Sequence, residues 1–186
     1  MKIPAQAKSV FKGEIFEVFQ WEQELFDGSM AIFEMTKRDD TTEVIAVKDG
    51  LIWFAEQEQP MKGVYQSFFG GRVEPGEDSE TGAIRELEEE SGMIPGSLEK
   101  IFSVMPLSKT EWTNHYYIAR DCQLTSAINL DPGEKITIKS CTFEELIEKI
   151  LSQQIRTSPF FVLEIYRMKY QAPLELAEFK KKLGLV

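Results

Sequence analysis

The stretch GRVEPGEDSETGAIRELEEESGM, residues 71–93, constrains this chain more than any other. It packs eight carboxylates against two basic residues, Arg72 and Arg85. The chain as a whole carries −10, of which this stretch holds −6 and everything else only −4. Helical periodicity runs from about Ser79 to Ser91 and is stopped by Gly92, with Pro95-Gly96 beyond it. At about 100° per residue, Ala83, Ile84 and Leu87 fall on one side of such a helix. Glu86, Glu89 and Glu90 share the adjoining face, with Glu86 one turn from both of the others. Like charges at that spacing cost a few tenths of a kcal/mol per pair when exposed, and more when partly buried. A solvated glutamate face would need no further purpose. The lead-in argues for more: Gly70-Gly71 ends a strand, Pro75-Gly76 turns the chain, and Glu77 stands just before the helix. A hard divalent cation takes oxygen ligands from carboxylates, carbonyls and water, and this loop and helix together supply that set.

The remaining 163 positions of the 186-residue chain set the frame. At 42% hydrophobic and 11% aromatic, the chain can bury a substantial core and is expected to form a single domain, 1–186. Residues 1–40 would supply N-terminal strands, 41–155 the core and 156–186 C-terminal helices. An acidic balance with a pI near 4.8 opposes nucleic acid and anionic membrane surfaces, so neither is expected as a partner. Cys122 and Cys141 do not form a CxxC pair and read as reduced structural thiols. The N-terminus has no apolar signal core, no stretch approaches a membrane span, and a cytoplasmic location is the default expectation.

Alternating apolar residues from Val10 to Met35, broken by FDGS at 26–29, predict a hairpin. EVIAVKDGLIWFAEQ, turning at Asp49-Gly50, predicts a second, and VYQSFF another strand. LEKIFSVMPL, WTNHYYIARDC and KITIKSC read as strands after the acidic helix. Thr142 and Glu145 form a capping box ahead of LIEKIL, Ser158-Pro159 opens an amphipathic helix to about Tyr170, and Pro173 starts a last short one. This order predicts an α/β fold, a mixed sheet covered by helices on two faces and preceded by an antiparallel N-terminal hairpin.

The spacing Gly71, five residues, Glu77, seven residues, Arg85-Glu86-Leu87, one residue, Glu89-Glu90, one residue, Gly92-Met93 resembles the Nudix box at every specified position. The resemblance implies a Nudix-type α/β/α sandwich and a hydrolase that cuts a nucleoside diphosphate linked to another moiety, using Mg²⁺ or Mn²⁺. It implies Glu86 and Glu90 as metal ligands, Glu89 as a ligand or close neighbour of the metal with a catalytic part, and the Gly70 carbonyl as a backbone ligand. Arg85 would orient the glutamates, Glu77 would brace loop and helix, and Gly71 and Gly92 would shape the box.

Outside the box, VFKGEIFEVFQWEQELFDG, EMTKRDD, VIAVKDG and EQEQP resemble the ADP-ribose pyrophosphatase and nucleotide-sugar branch over roughly residues 9–140. That branch implies a homodimer built through N-terminal strands, and a late-loop acid that activates or orients water. Glu134 matches it best, with Asp131 as fallback. The chain departs from the branch in having Phe68-Phe69 before Gly70-Gly71, Gln59 where an arginine is common, and PLSKTEWTN where a Pro-Gly pair is usual. Either ADP-ribose or a nucleotide sugar is therefore the expected substrate. A base ring wants an aromatic face, from Trp21 or Phe19, or from Trp112 or Tyr116. Arg38, Arg72 or Lys109 could meet a phosphate. His115, the chain's single histidine, reads as a strand residue rather than a catalytic one. The alternative is a Nudix-fold nucleotide-binding or regulatory module without turnover.

Overall fold

The computed structural model describes residues 2–125, 128–130, 133 and 135–186. The N-terminal part forms a four-stranded sheet, order β1-β2-β3-β9. Its strands are β1 (Lys8–Lys12), β2 (Glu17–Glu24), β3 (Met30–Lys37) and, much later in the chain, β9 (Thr110–Glu111). The predicted hairpin around FDGS is β2–β3, antiparallel from Glu17↔Lys37 to Glu24↔Met30. What read as one long first arm is two strands, because the chain reverses where the Gly13 N–H donates to the Phe16 carbonyl.

The larger sheet takes β4 (Thr41–Lys48), β5 (Leu51–Gln59), β6 (Gly63–Ser67), β8 (Ser97–Val104), β10 (Asn114–Arg120), β12 (Lys135–Cys141) and β13 (Ile155–Arg156). Two further short strands, β7 (Met93–Ile94) and β11 (Gln123–Leu124), pair with each other. The sheet is mixed: β10 runs parallel to β4 and antiparallel to β8. Strand β5 pairs with β4 through its first residues and with β6 through its last, keeping β12 along its other side.

Strand β4 explains the layering. Its run Val44-Ile45-Ala46-Val47 is apolar at every position because both faces are covered. Val44 and Ala46 face helix α1 (Ser79–Ser91), in a core with Ala55, Phe69, Ala83 and Leu87. Ile45 and Val47 face the opposite core, with α2 (Phe143–Leu151), α3 (Pro159–Tyr170) and α4 (Pro173–Lys182). The alanines at 46, 55, 83 and 119 let α1 lie close on the sheet, so its acidic edge sits at the sheet's rim. The expected α/β/α sandwich is thus the observed one. Cys122 and Cys141 are buried and unpaired with each other, and burial pushes both thiols up to about 11.

Helix α3 differs from expectation. Phe161, Ile165 and Met168 are buried as an amphipathic helix requires, but Phe160, Leu163, Tyr166 and Tyr170 stand exposed on the other side. Among the described residues no helix is long and apolar enough to cross a membrane.

Candidate active site

Helix α1 is defined by local chemistry at both ends. The Asp78 carboxylate accepts from the N–H groups of Glu80 and Thr81, and this holds its pKa below the ordinary carboxylate range. At the other end Gly92 takes φ 69° and its N–H donates to the Glu88 carbonyl, the left-handed stop that glycine adopts without strain.

Between those ends the helix buries Ala83 and Leu87 and turns its acids toward the preceding loop. Arg85 organises them. Its Nε and Nη2 donate to Glu77 Oε1 and Oε2, both at 3.1 Å, a fork-to-fork pair. Nη1 donates at 2.9 Å to both Glu86 Oε1 and Glu89 Oε2, and Nη2 donates at 2.8 Å to the Arg72 carbonyl. All five guanidinium N–H donors are thereby used. Hydrogen bonding from Arg85 holds the Glu77 carboxyl below its ordinary value, and the same bonds, with Glu77 foremost, push Arg85 upward. Glu77 also accepts from the Glu74 N–H at 3.0 Å, tying the loop back on itself.

Glu90 is only 5% exposed, and its Oε2 accepts from the Gly70 N–H at 2.8 Å. The two glycines beside it are there for space. Gly70 has φ 141°, and a Cβ on it would lie 2.1 Å from the Thr42 carbonyl oxygen. A Cβ on Gly71 would lie 2.6 Å from Glu86 Oε1. Loop and helix enclose a cavity of about 480 Å³, lined by Gly70, Gly71, Arg72, Arg85, Glu86, Glu89 and Glu90. Asn129 and Leu130 close one side, and the Asn129 N–H donates to the Glu89 carbonyl at 2.9 Å.

The donor set facing this cavity is all oxygen, which suits a hard divalent cation, and Gly71 leaves open the space that Glu86 fills. Among the described residues no three His, Cys, Asp or Glu side chains close into a ligand cage as they stand. The carboxylates are instead bonded to Arg85 and to the Gly70 N–H, so binding a cation would exchange some of these bonds.

The other sequence candidates fall in different places. Arg72 lines the carboxylate cavity and faces Glu74 at 3.5 Å and Asp39 at 3.9 Å. Arg38 lines a neighbouring cavity of about 360 Å³, and Glu74 borders both. The Arg38 guanidinium lies 4.6 Å from the Trp112 ring centroid and 5.8 Å from that of Phe16, and its Nε is buried without a hydrogen-bond partner among the described residues. Trp21 packs on Phe33 in the N-terminal sheet and lines a different cavity, with Val10, Met30 and Ile32. Tyr116 is core: it stacks on Phe102 with centroids 4.3 Å apart and donates to Glu43. Glu134 and Asp131 lie outside the described residues. Sequence reasoning missed Asn129 and Glu74, because neither belongs to a periodic element and only the packing of loops brings them to the cavity.

The NUDIX domain family profile matches residues 34–161. The chain therefore belongs to the Nudix family, and it is a Nudix hydrolase, the class of enzyme that cleaves pyrophosphate bonds in nucleotide derivatives. Among its relatives is the ADP-ribose pyrophosphatase of Bacillus subtilis (strain 168), 28% identical over 153 residues, covering 80% of this chain and 82% of the relative. A second, the methanol dehydrogenase activator of Bacillus methanolicus, is 24% identical over 172 residues, covering 90% and 92%. The fold also matches the crystal structure of an ADP compounds hydrolase, with a TM-score of 0.69 at 19% identity over 98% of this chain and 95% of the other.

Proposed function

We propose that the protein hydrolyses the pyrophosphate bond of a nucleoside diphosphate joined to a second moiety, ADP-ribose or a nucleotide sugar, with Mg²⁺ as cofactor and Mn²⁺ as a substitute. The observation that carries this reading is the Arg85 fork, which gathers Glu77, Glu86 and Glu89 around a cavity that Glu90 closes through Gly70. Similarity to the Bacillus subtilis ADP-ribose pyrophosphatase supports the substrate class.

In this reading Glu86, Glu89 and Glu90, with the Gly70 carbonyl, would hold the cation. When bound, the metal neutralises the pyrophosphate and lowers the pKa of a bound water. The protein's own groups do the rest. Arg85 positions Glu86 and Glu89, Glu77 fixes Arg85, and Gly71 keeps the cavity mouth clear. Arg72 exchanges its long contacts to Asp39 and Glu74 for a phosphate oxygen. Arg38, sandwiched beside Trp112, meets the far end of the substrate across the shared wall at Glu74. Glu134 orients or deprotonates the attacking water.

The functional unit proposed is the whole of 1–186, working in the cytoplasm as a homodimer. Exposed Val10, Phe11, Met30 and Ile32 on the N-terminal sheet support the dimer, since a second copy would cover them. Trp21 on that sheet would then contact substrate in the second copy's cavity.

The likeness to a methanol dehydrogenase activator supports a second reading, a Nudix-fold regulatory module. A module without turnover has no need of the complete set of box glutamates present here. The test is phosphate-coupled turnover on ADP-ribose, ADP-glucose, GDP-mannose, UDP-glucose and dinucleoside polyphosphates, with Mg²⁺ and then with chelator. Metal-dependent cleavage of one diphosphate-linked compound is expected; none on any of them, with metal bound, would favour the regulatory module.

A further inference from the structure

A second group of polar side chains lies on the same face of the sheet as α1, built from three separate elements. Cross-strand register sets His115 of β10 opposite Ser103 of β8. The Ser103 hydroxyl and His115 Nδ1 are 2.8 Å apart. On the other side of the ring, His115 Nε2 lies 3.3 Å from Asp40 Oδ2. Asp40 is itself fixed, because its Oδ1 accepts from the Thr113 N–H at 2.7 Å and its backbone carbonyl from the Val73 N–H at 2.8 Å. The Asp40 carboxylate therefore selects the tautomer with the proton on Nε2, leaving the Nδ1 lone pair to face the hydroxyl. Burial holds the imidazole below its ordinary value, which favours its neutral form at pH 7. Ser103 remains exposed, as a nucleophile must.

A β-bulge adds a cation to this group. Register runs Tyr116↔Phe102 and then Tyr117↔Lys100, leaving Ile101 as the extra residue. Without it, Lys100 and Ser103 would point to opposite faces; with it, both share the face of His115 and Tyr117. Lys100 Nζ donates to Ser79 Oγ at 2.8 Å and stands 5.3 Å from the Tyr117 ring centroid, and its charge is felt at His115. An ammonium on the same face as the Ser103 hydroxyl favours negative charge that develops there.

We propose that Ser103, His115 and Asp40, with Lys100, form a second, metal-independent nucleophilic centre that takes acyl groups from small activated esters. Ser103 Oγ bonds to the ester carbonyl carbon while its proton passes to His115 Nδ1. The bond to the leaving oxygen breaks and that oxygen takes the proton. Water, deprotonated by the same nitrogen, then attacks the acyl carbon; the bond between Ser103 Oγ and the acyl carbon breaks, the serine takes the proton back and the carboxylic acid leaves, so water is the one co-reactant and no oxidant is consumed. The ring nitrogens exchange partners relative to the usual serine, histidine and aspartate triad, but the roles of base, orienter and nucleophile are all filled.

The test uses the full chain in chelator, with a fluorophosphonate probe followed by mass mapping and with p-nitrophenyl acetate turnover. One adduct on Ser103 is expected, absent in Ser103→Ala. Turnover should fall at least about tenfold in both Ser103→Ala and His115→Gln. The Nudix turnover of Ser103→Ala should equal wild type, which shows that the variant is folded and separates this site from the metal site. No adduct in the wild type, an adduct elsewhere, or ester turnover unchanged in Ser103→Ala would each overturn the proposal.

Discussion

Helices α1 and α3 cover the same sheet from opposite faces, and they depart from ordinary amphipathic patterning in opposite directions. Helix α1 buries a charge: Glu90 is 5% exposed, next to Ser91 and Leu87. Helix α3 exposes grease: Leu163 is 64% and Tyr170 60% exposed, although Phe161 and Ile165 on its inner side are sealed. The misplaced charge of α1 is satisfied within the chain by the Gly70 N–H, at a cavity with chemistry in it. The misplaced apolar side chains of α3 stay half or more exposed among the described residues, with Tyr166 and Tyr170 packed against each other. A buried acid has to be hydrogen-bonded where it stands, so its local partners reveal a built site, whereas exposed apolar side chains cost little individually.

The sharpest way to break the comparison is to neutralise the buried charge. Glu90→Gln keeps the side chain's size and its Gly70 contact, so melting should shift by only a few degrees. Turnover should fall about 10³-fold, roughly 4 kcal/mol of barrier. Wild-type turnover in that variant would take Glu90 out of the metal site. On α3, truncating the inner face with Phe161→Ala should cost about 3–4 kcal/mol in denaturant unfolding, because that ring sits among Phe68, Phe102, Tyr116 and Phe179.

Arg85→Ala lies between these. It strands Glu77, Glu86 and Glu89 together, and should lower stability by roughly 1–3 kcal/mol while reducing metal affinity about 10- to 100-fold, readable by calorimetry. The same pair gives a pH signature. Arg85 lowers the Glu77 carboxyl below its ordinary 4.5, so Glu77 contributes stability that is fully present above that value and is lost as pH falls through the folded pKa. The stability gap between wild type and Arg85→Ala should accordingly narrow below about pH 4.5. The smallest effect belongs to the outer face of α3: Leu163→Ser should change stability by no more than about 0.5 kcal/mol and leave turnover unaltered. A much larger loss would mean that this face is packed in solution.

Legibility followed the same division. The bounds of α1, the capping box of Thr142 and Glu145, the stop at Gly92 and the start at Pro173 were all readable, since each depends on residues within a turn or two. The outer face of α3 was not, because apolar periodicity does not say which of two apolar faces meets the sheet. The break between β1 and β2 was hidden for a related reason: both arms alternate, and only a single backbone bond between Gly13 and Phe16 marks the reversal. Trp21 is a substrate candidate on residue type, and that its ring lies beside Phe33 was set by strand pairing that the sequence does not show.

What the sequence by itself determined is the acidic box: its residues lie within 23 positions, and helical periodicity alone puts Glu86, Glu89 and Glu90 on one face. Only the tertiary structure decided that Arg38 rests against Trp112, that Asn129 meets Glu89, and that Asp40, Ser103 and His115 converge. Those contacts span up to 75 residues and hang on strand register or, for Asn129, on loop packing, and both are outcomes of the whole sheet's packing rather than of any local stretch.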